Sequence, residues 1–156
     1  MNIKVFWVGK TKSLPIRSLE TDYLSRIRRM NPCEAIAVRD LSKGRSLRGA
    51  TLLAVEENEI LRAVPDGSKV VALDESGALF SSLDLARWFE GEQNRGTKGV
   101  AFVIGGPDGI GPRILANADL KLSLGRMTWT HEMCRALLLE QIYRALCIIR
   151  NIPYHR

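Results

Sequence analysis

Two short stretches of this chain hold most of its capacity for chemistry. The first is Gly105-Gly106-Pro107-Asp108-Gly109-Ile110-Gly111, in which five of seven residues are glycine or proline. Glycine admits positive φ and lets a ligand approach the backbone closely. A turn just past a buried strand is also where open α/β sheets bind ligands. The alternative is a tight connection with no ligand at all. Two phosphate-binding motifs fail here. A P-loop needs Gly-x-x-x-x-Gly-Lys-Ser/Thr; Gly106 and Gly111 keep that spacing, but Pro112-Arg113 follows. A dinucleotide fingerprint begins at Gly109-Ile110-Gly111, but Ile114 stands where its third glycine belongs. A ligand held chiefly by its phosphates is therefore disfavoured.

The second stretch is the closing Pro153-Tyr154-His155-Arg156, which offers a stacking face, a titratable group and a fixed cation. A solvated basic tail is the plainer reading of the same residues. Between the two lies Leu124-Gly125-Arg126-Met127-Thr128-Trp129-Thr130-His131. Thr130 can cap a following helix, and Met127 and Trp129 can either wall an apolar pocket or pack in the core. His131 and His155 are the only histidines, and no helical His-Glu-x-x-His occurs, so no metal site is expected. Cys33, Cys134 and Cys147 form no Cys-x-x-Cys and read as free thiols.

The elements that must position these residues follow from periodicity. Strands are predicted over 3–8, 35–38, 69–73, 100–104 and 120–124, and the third leads into the polar Asp74-Glu75-Ser76-Gly77. Helices are predicted from Pro15 to about 30, from about 50 to 64, from a cap at Ser81 or Ser82 through Phe89, over 114–117, and from about 131 to 150. The alternation indicates one α/β domain with a mainly parallel sheet. Residues 42–49 read as a basic loop. The continuous apolar run 100–104 suggests a strand covered on both faces. The last helix is apolar nearly all round, which fits either a dimer interface or a deep central helix in a monomer.

Composition agrees with a single globular domain: 156 residues, 46% hydrophobic and 26% charged. The net charge of +6 favours a polyanionic partner. The N-terminal residues lack the pattern of a signal peptide, and no apolar run is long enough to span a bilayer, so a cytoplasmic protein without membrane attachment is expected.

In order and spacing, Val8-Gly9-Lys10, Val71-Ala72-Leu73-Asp74, residues 102–109, residues 122–128, His131, residues 135–145 and Pro153-Tyr154-His155-Arg156 resemble the ribosomal RNA large subunit methyltransferase H family, within the SPOUT class. The resemblance covers the whole chain. It implies an α/β fold with a C-terminal trefoil knot, a homodimer, S-adenosylmethionine as methyl donor, and N3-methylation of a pseudouridine in 23S rRNA of the assembled ribosome. Carried over by position, Leu73, Gly105, Leu124, Gly125, Arg126, Met127, Thr128 and Trp129 would line the cofactor site. His155 is the candidate base, Tyr154 would stack on or bond the nucleobase, and Arg144 and Arg156 would stabilise negative charge or hold phosphate. Arg26, Arg28, Arg29, Lys43, Arg45, Arg48, Arg113 and Arg126 are candidates for phosphate contacts. Two positions depart from the family pattern: Thr130 stands where proline is common, and Gly125 where serine or alanine is. A methyltransferase of another RNA such as tRNA, and a non-catalytic RNA-binding module of the same fold, are the competing readings.

Overall fold

A computed structural model describes residues 1–42 and 47–155. Lys43 and Arg45 of the predicted basic loop, and the terminal Arg156, lie outside the described residues. The strands are β1 (Asn2–Val8), β2 (Cys33–Val38), β3 (Ser68–Leu79), β4 (Gly99–Ile104) and β5 (Leu120–Ser123). The helices are α1 (Leu14–Arg28), α2 (Gly49–Ala63), α3 (Ser82–Asn94), α4 (Pro112–Asn117) and α5 (His131–Ile149). The strands form one sheet in the order β2-β1-β4-β3-β5, and every pairing is parallel.

Side-chain alternation builds two cores on the two faces of this sheet. Ile3, Val5 and Trp7 of β1, with Val100, Phe102 and Ile104 of β4, face Ile27 of α1, Phe89 of α3 and Leu138, Leu139 and Ile142 of α5. Phe6, Val8, Ala101 and Val103 point the other way, onto Ile60 of α2 and Ile114 of α4. β4 is central and every one of its residues is buried, as its unbroken apolar run requires. No helix is long and apolar enough to cross a membrane, among the described residues.

One strand differs from the sequence expectation. β3 does not stop at Leu73 but continues to Leu79. Its register against β5 jumps, so that Leu73 and Ala78 both face Leu122 and residues 74–77 bulge outward. Gly77 makes the return possible, because a methyl there would lie 2.7 Å from the Leu122 nitrogen. The wide apolar surface of α5 is used within the chain, since α5 packs between α1 and α3 while also touching β4. After β4 the chain crosses β3 through α4, adds β5 at the sheet edge and returns on the opposite face as α5. That path is consistent with the knot the resemblance implies.

Candidate active site

Parallel strands deliver all their C-terminal ends to one side of the sheet. There, at the ends of β3, β4 and β5 and the start of α5, a cavity of about 590 Å³ opens. Leu73, Gly105, Leu124, Gly125, Met127, Thr128 and Trp129 line it, as do Asp74, Glu75, Asp108, His131 and Cys134. Arg126 sits within the same loop but is exposed and does not line the cavity.

The wall after β4 is made of backbone. Gly109 has φ +88° and its N–H donates to Gly106 O at 3.0 Å, closing the turn. A methyl on Gly105 would sit on the Gly109 carbonyl and 2.8 Å from the Ile110 nitrogen. Behind the turn, α2 supplies two buried carboxylates. Glu57 Oε1 accepts from Ile114 N at 2.8 Å, and a methyl on Gly111 would lie 2.5 Å from that same oxygen. Burial, then the charges of Asp40 and Asp108, push the Glu56 carboxyl up to about 7.

The wall after β5 is a loop pinned at its start. Ser123 Oγ donates to Gly125 O at 2.9 Å and accepts from Gly125 N at 3.3 Å. Gly125 has φ +135°, a conformation that favours glycine. Thr130 Oγ1 caps α5 by accepting from Met133 N at 3.3 Å. Met127 and Trp129 line the cavity yet are 76% and 41% exposed. They form a rim, not the buried packing of a core.

The third wall is the β3 bulge, where the sequence shows only a polar stretch after the strand. Asp74 accepts from the Ser76 backbone N–H at 2.9 Å and from the Ser76 hydroxyl. These bonds hold its carboxyl below the usual range. The signal that marks the feature is an Asp-x-Ser followed by glycine inside an otherwise apolar strand.

Arg135 anchors the start of α5 to the β1–α1 connection. Its side chain is 1% exposed, donates to Thr11 Oγ1 and Val8 O at 2.7 Å each, and lies 5.1 Å from the centroid of the Trp7 ring. Thr11 in turn donates to Glu20 Oε1 at 2.6 Å. Glu132 Oε1 and Oε2 accept from the backbone of Lys12 and Ser13 at 2.9 and 3.1 Å. Neither residue was singled out for this role by its sequence context.

The tail is elsewhere in the chain. Asn151 adopts φ +53°, and the Ile152 and Asn151 N–H groups donate to Cys147 O and Ile148 O at 2.9 and 3.1 Å. This left-handed helix stop turns the chain back along α5. Tyr154 OH then donates to Glu140 Oε1 at 3.0 Å, and its ring stands edge-on to Tyr143 at 4.8 Å. Arg144 donates to the same Glu140 oxygen through Nε and Nη2 at 3.0 and 2.6 Å, with its guanidinium 4.6 Å from the Tyr154 centroid. Burial first, then hydrogen bonding with Tyr23 and Glu140, holds the Tyr154 phenol well above its usual range. His155 is exposed beside this cluster. None of Arg144, Tyr154 and His155 lines the cavity. Cys134 is the last α5 residue lining the cavity, and Arg144 stands ten helical steps beyond it, roughly 15 Å along the axis at 1.5 Å per residue.

A family model described as a predicted SPOUT methyltransferase matches residues 1–155. The chain belongs to the SPOUT methyltransferase family. A protein of Paramagnetospirillum magneticum named ribosomal RNA large subunit methyltransferase H is 42% identical over 156 residues, covering 100% of this chain and 99% of its own. One of the same name from Roseobacter denitrificans is 40% identical over 162 residues, with 100% and 99% covered. Among solved structures, a probable methyltransferase from Bordetella pertussis superposes with a TM-score of 0.58 at 12% identity, covering 93% of this chain and 96% of that one. A probable methylase family protein from Haemophilus influenzae gives 0.56 at 16%, covering 99% and 70%. At such identities the two structures speak for the fold alone. This SPOUT methyltransferase is an enzyme, and the methyl donor of its class is S-adenosylmethionine.

Proposed function

We propose that this chain methylates N3 of a pseudouridine in 23S rRNA on the assembled ribosome, acting as a homodimer in the cytoplasm. The observation that carries the reading is the cavity itself. Its position at the strand ends and its lining by Leu73, Gly105 and the 124–129 loop coincide with full-length similarity to proteins named ribosomal RNA large subunit methyltransferase H.

The cavity's chemistry fits S-adenosylmethionine. Leu73, Ile104, Leu122, Leu124 and Met127 offer apolar cover for an adenine, and glycine turns bring backbone N–H and C=O groups within reach of its edges. The volume of about 590 Å³ lies in the usual range for such ligands. No phosphate cradle is needed, which agrees with the failed phosphate motifs. When bound, S-adenosylmethionine supplies a methyl group on a sulfonium, open to in-line displacement.

The chain's residues must hold the acceptor in line and remove a proton. In the overall step the N3–methyl bond forms, the carbon–sulfur bond breaks with its electron pair going to sulfur, and the N3 proton goes to a base. Alignment supplies much of the acceleration. We assign proton removal to His155, nucleobase contact to Tyr154, and stabilisation of the imide anion to Arg144.

None of these three residues lines the cavity of its own chain, so we infer that a second copy delivers them. Leu79, Leu83, Met127 and Trp129, exposed by 53, 43, 76 and 41%, supply an apolar surface near the cavity that a second copy would cover. The decisive assay treats purified ribosomes with labelled donor and maps the modified nucleotide. Label on pseudouridine N3 of 23S rRNA is expected; label on tRNA, or none, overturns the reading. A mixture of tail-truncated chains lacking 153–156 with Gly105→Asp chains tests the dimer. Activity should return on mixing if the site is shared between copies, and stay absent if each chain is self-sufficient.

A further inference from the structure

The chain carries a net charge of +6, yet the charged residues lining its cavity are carboxylates: Asp74, Glu75 and Asp108, with no lysine or arginine among the described lining residues. The three stand on two separate turns. Asp74 and Glu75 are carried by the β3 bulge, and Asp108 by the glycine turn after β4. Asp74 is locked by its bonds from Ser76, and Lys121 lies close enough to offset part of its charge. Glu75 and Asp108 are exposed and hold no structural hydrogen bond among the described residues. Their charge is therefore available to whatever occupies the cavity.

The donor and its by-product differ in the feature such charges sense. S-adenosylmethionine carries a sulfonium and a net charge of +1. S-adenosylhomocysteine has a neutral thioether and a net charge of zero. We propose that the acidic rim formed by Glu75 and Asp108, with Asp74 behind, selects the cationic methyl donor over its neutral by-product. This rests on reading the cavity as the donor site. By Coulomb's law, a carboxylate about 6 Å from the sulfonium in a water-like medium favours the cation about threefold. Two such charges multiply to about tenfold. The same charges stabilise the sulfonium before transfer more than in the transition state, where its charge is dispersing. The rim therefore serves donor loading and by-product release, not the chemical step.

Calorimetric titration of the full-length protein with S-adenosylmethionine, S-adenosylhomocysteine and sinefungin tests this. Sinefungin bears an amine-carrying carbon in place of the methylated sulfur and keeps the positive charge. In the Glu75→Gln and Asp108→Asn proteins, the affinity ratio of donor to by-product should fall about threefold each, and about tenfold in the double variant. Sinefungin should follow the donor. The wild-type ratio should shrink as salt is raised, because exposed charges are screened. If all three ligands bind and the double variant keeps the wild-type ratio, this proposal is overturned while the cavity assignment stands. If none of the three binds the wild-type protein, the cavity assignment falls and the proposal with it.

Discussion

Replacing Gly105 by alanine perturbs the cavity wall at its most constrained point. The added methyl would rest on the Gly109 carbonyl and 2.8 Å from the Ile110 nitrogen. Both are backbone atoms of the same turn, so no rotamer change relieves the contact. The turn must retreat by roughly 1 Å to restore ordinary van der Waals separation. Overpacking of this kind costs about 1–3 kcal/mol, and for a chain of this size each kcal/mol lowers Tm by about 2–4 °C. A fall of about 2–12 °C is expected. Because the turn forms a cavity wall, donor affinity should drop at least about tenfold, or 1.4 kcal/mol. Gly109→Ala is the control. Its methyl would meet no atom within 4 Å, although its φ of +88° strains any other residue. That variant should lose about 1–2 kcal/mol of stability while keeping more of its donor affinity. Calorimetric titration and thermal unfolding of both variants give the answer. A Gly105→Ala protein with wild-type Tm and wild-type donor affinity would refute the assignment of this turn as a steric wall.

Two further perturbations probe the supports behind the cavity. Glu56 has its folded pKa raised to about 7 from an unfolded value near 4.5, so its contribution is fully present below pH 4.5 and is lost as pH rises through 7. Glu56→Gln should therefore gain stability over wild type at pH 8, by about 1–3 kcal/mol, and gain little at pH 4.5; urea unfolding at the two pH values compares them, and an equal difference at both would count against the reading. Arg135→Ala leaves Thr11 and Val8 O without their buried donor and removes the guanidinium over Trp7. A loss of about 3–5 kcal/mol is expected from breaking a buried polar cluster, with Arg135→Lys intermediate because one ammonium cannot reproduce the fork; a loss below about 1 kcal/mol in the alanine variant would show the cluster to be dispensable.

Much of the fold was legible because the sheet obeys simple periodicities. Ile3, Val5 and Trp7 alternate with Phe6 and Val8, and the unbroken apolar run of 100–104 correctly announced a strand covered on both sides. The β3 bulge was not legible, because its existence depends on Leu122 accepting two partners and on Gly77 approaching the β5 backbone. The Asp-x-Ser-Gly pattern of 74–77 marks an interruption but not that the strand resumes beyond it. The cavity lining was anticipated at Leu73, Gly105, Leu124, Gly125, Met127, Thr128 and Trp129 by the motif resemblance, and at Gly105 also by the glycine turn. Arg126 was grouped with them by position, but an exposed residue on a loop can point away from the wall its neighbours build. Glu75 and Asp108 were passed over because a lone acidic residue in a turn normally means only solvation. They become noticeable when the fold gathers them around one opening.

Cavity and tail are held by different supports and respond differently to change. Gly105 and the 124–129 loop present backbone, pinned by Ser123 and by Glu57 behind α4. The tail presents side chains, and its position depends on one left-handed residue, Asn151, and on the shared Glu140 carboxylate. Perturbing Glu140 would release Arg144 and Tyr154 together without touching any cavity wall. On the proposed assembly, donor binding and acceptor handling would be separately supported within each chain and joined only when two copies come together. A monomeric form of this methyltransferase would on this reasoning keep its affinity for S-adenosylmethionine and lose turnover, a pairing of effects that damage to the cavity itself cannot produce.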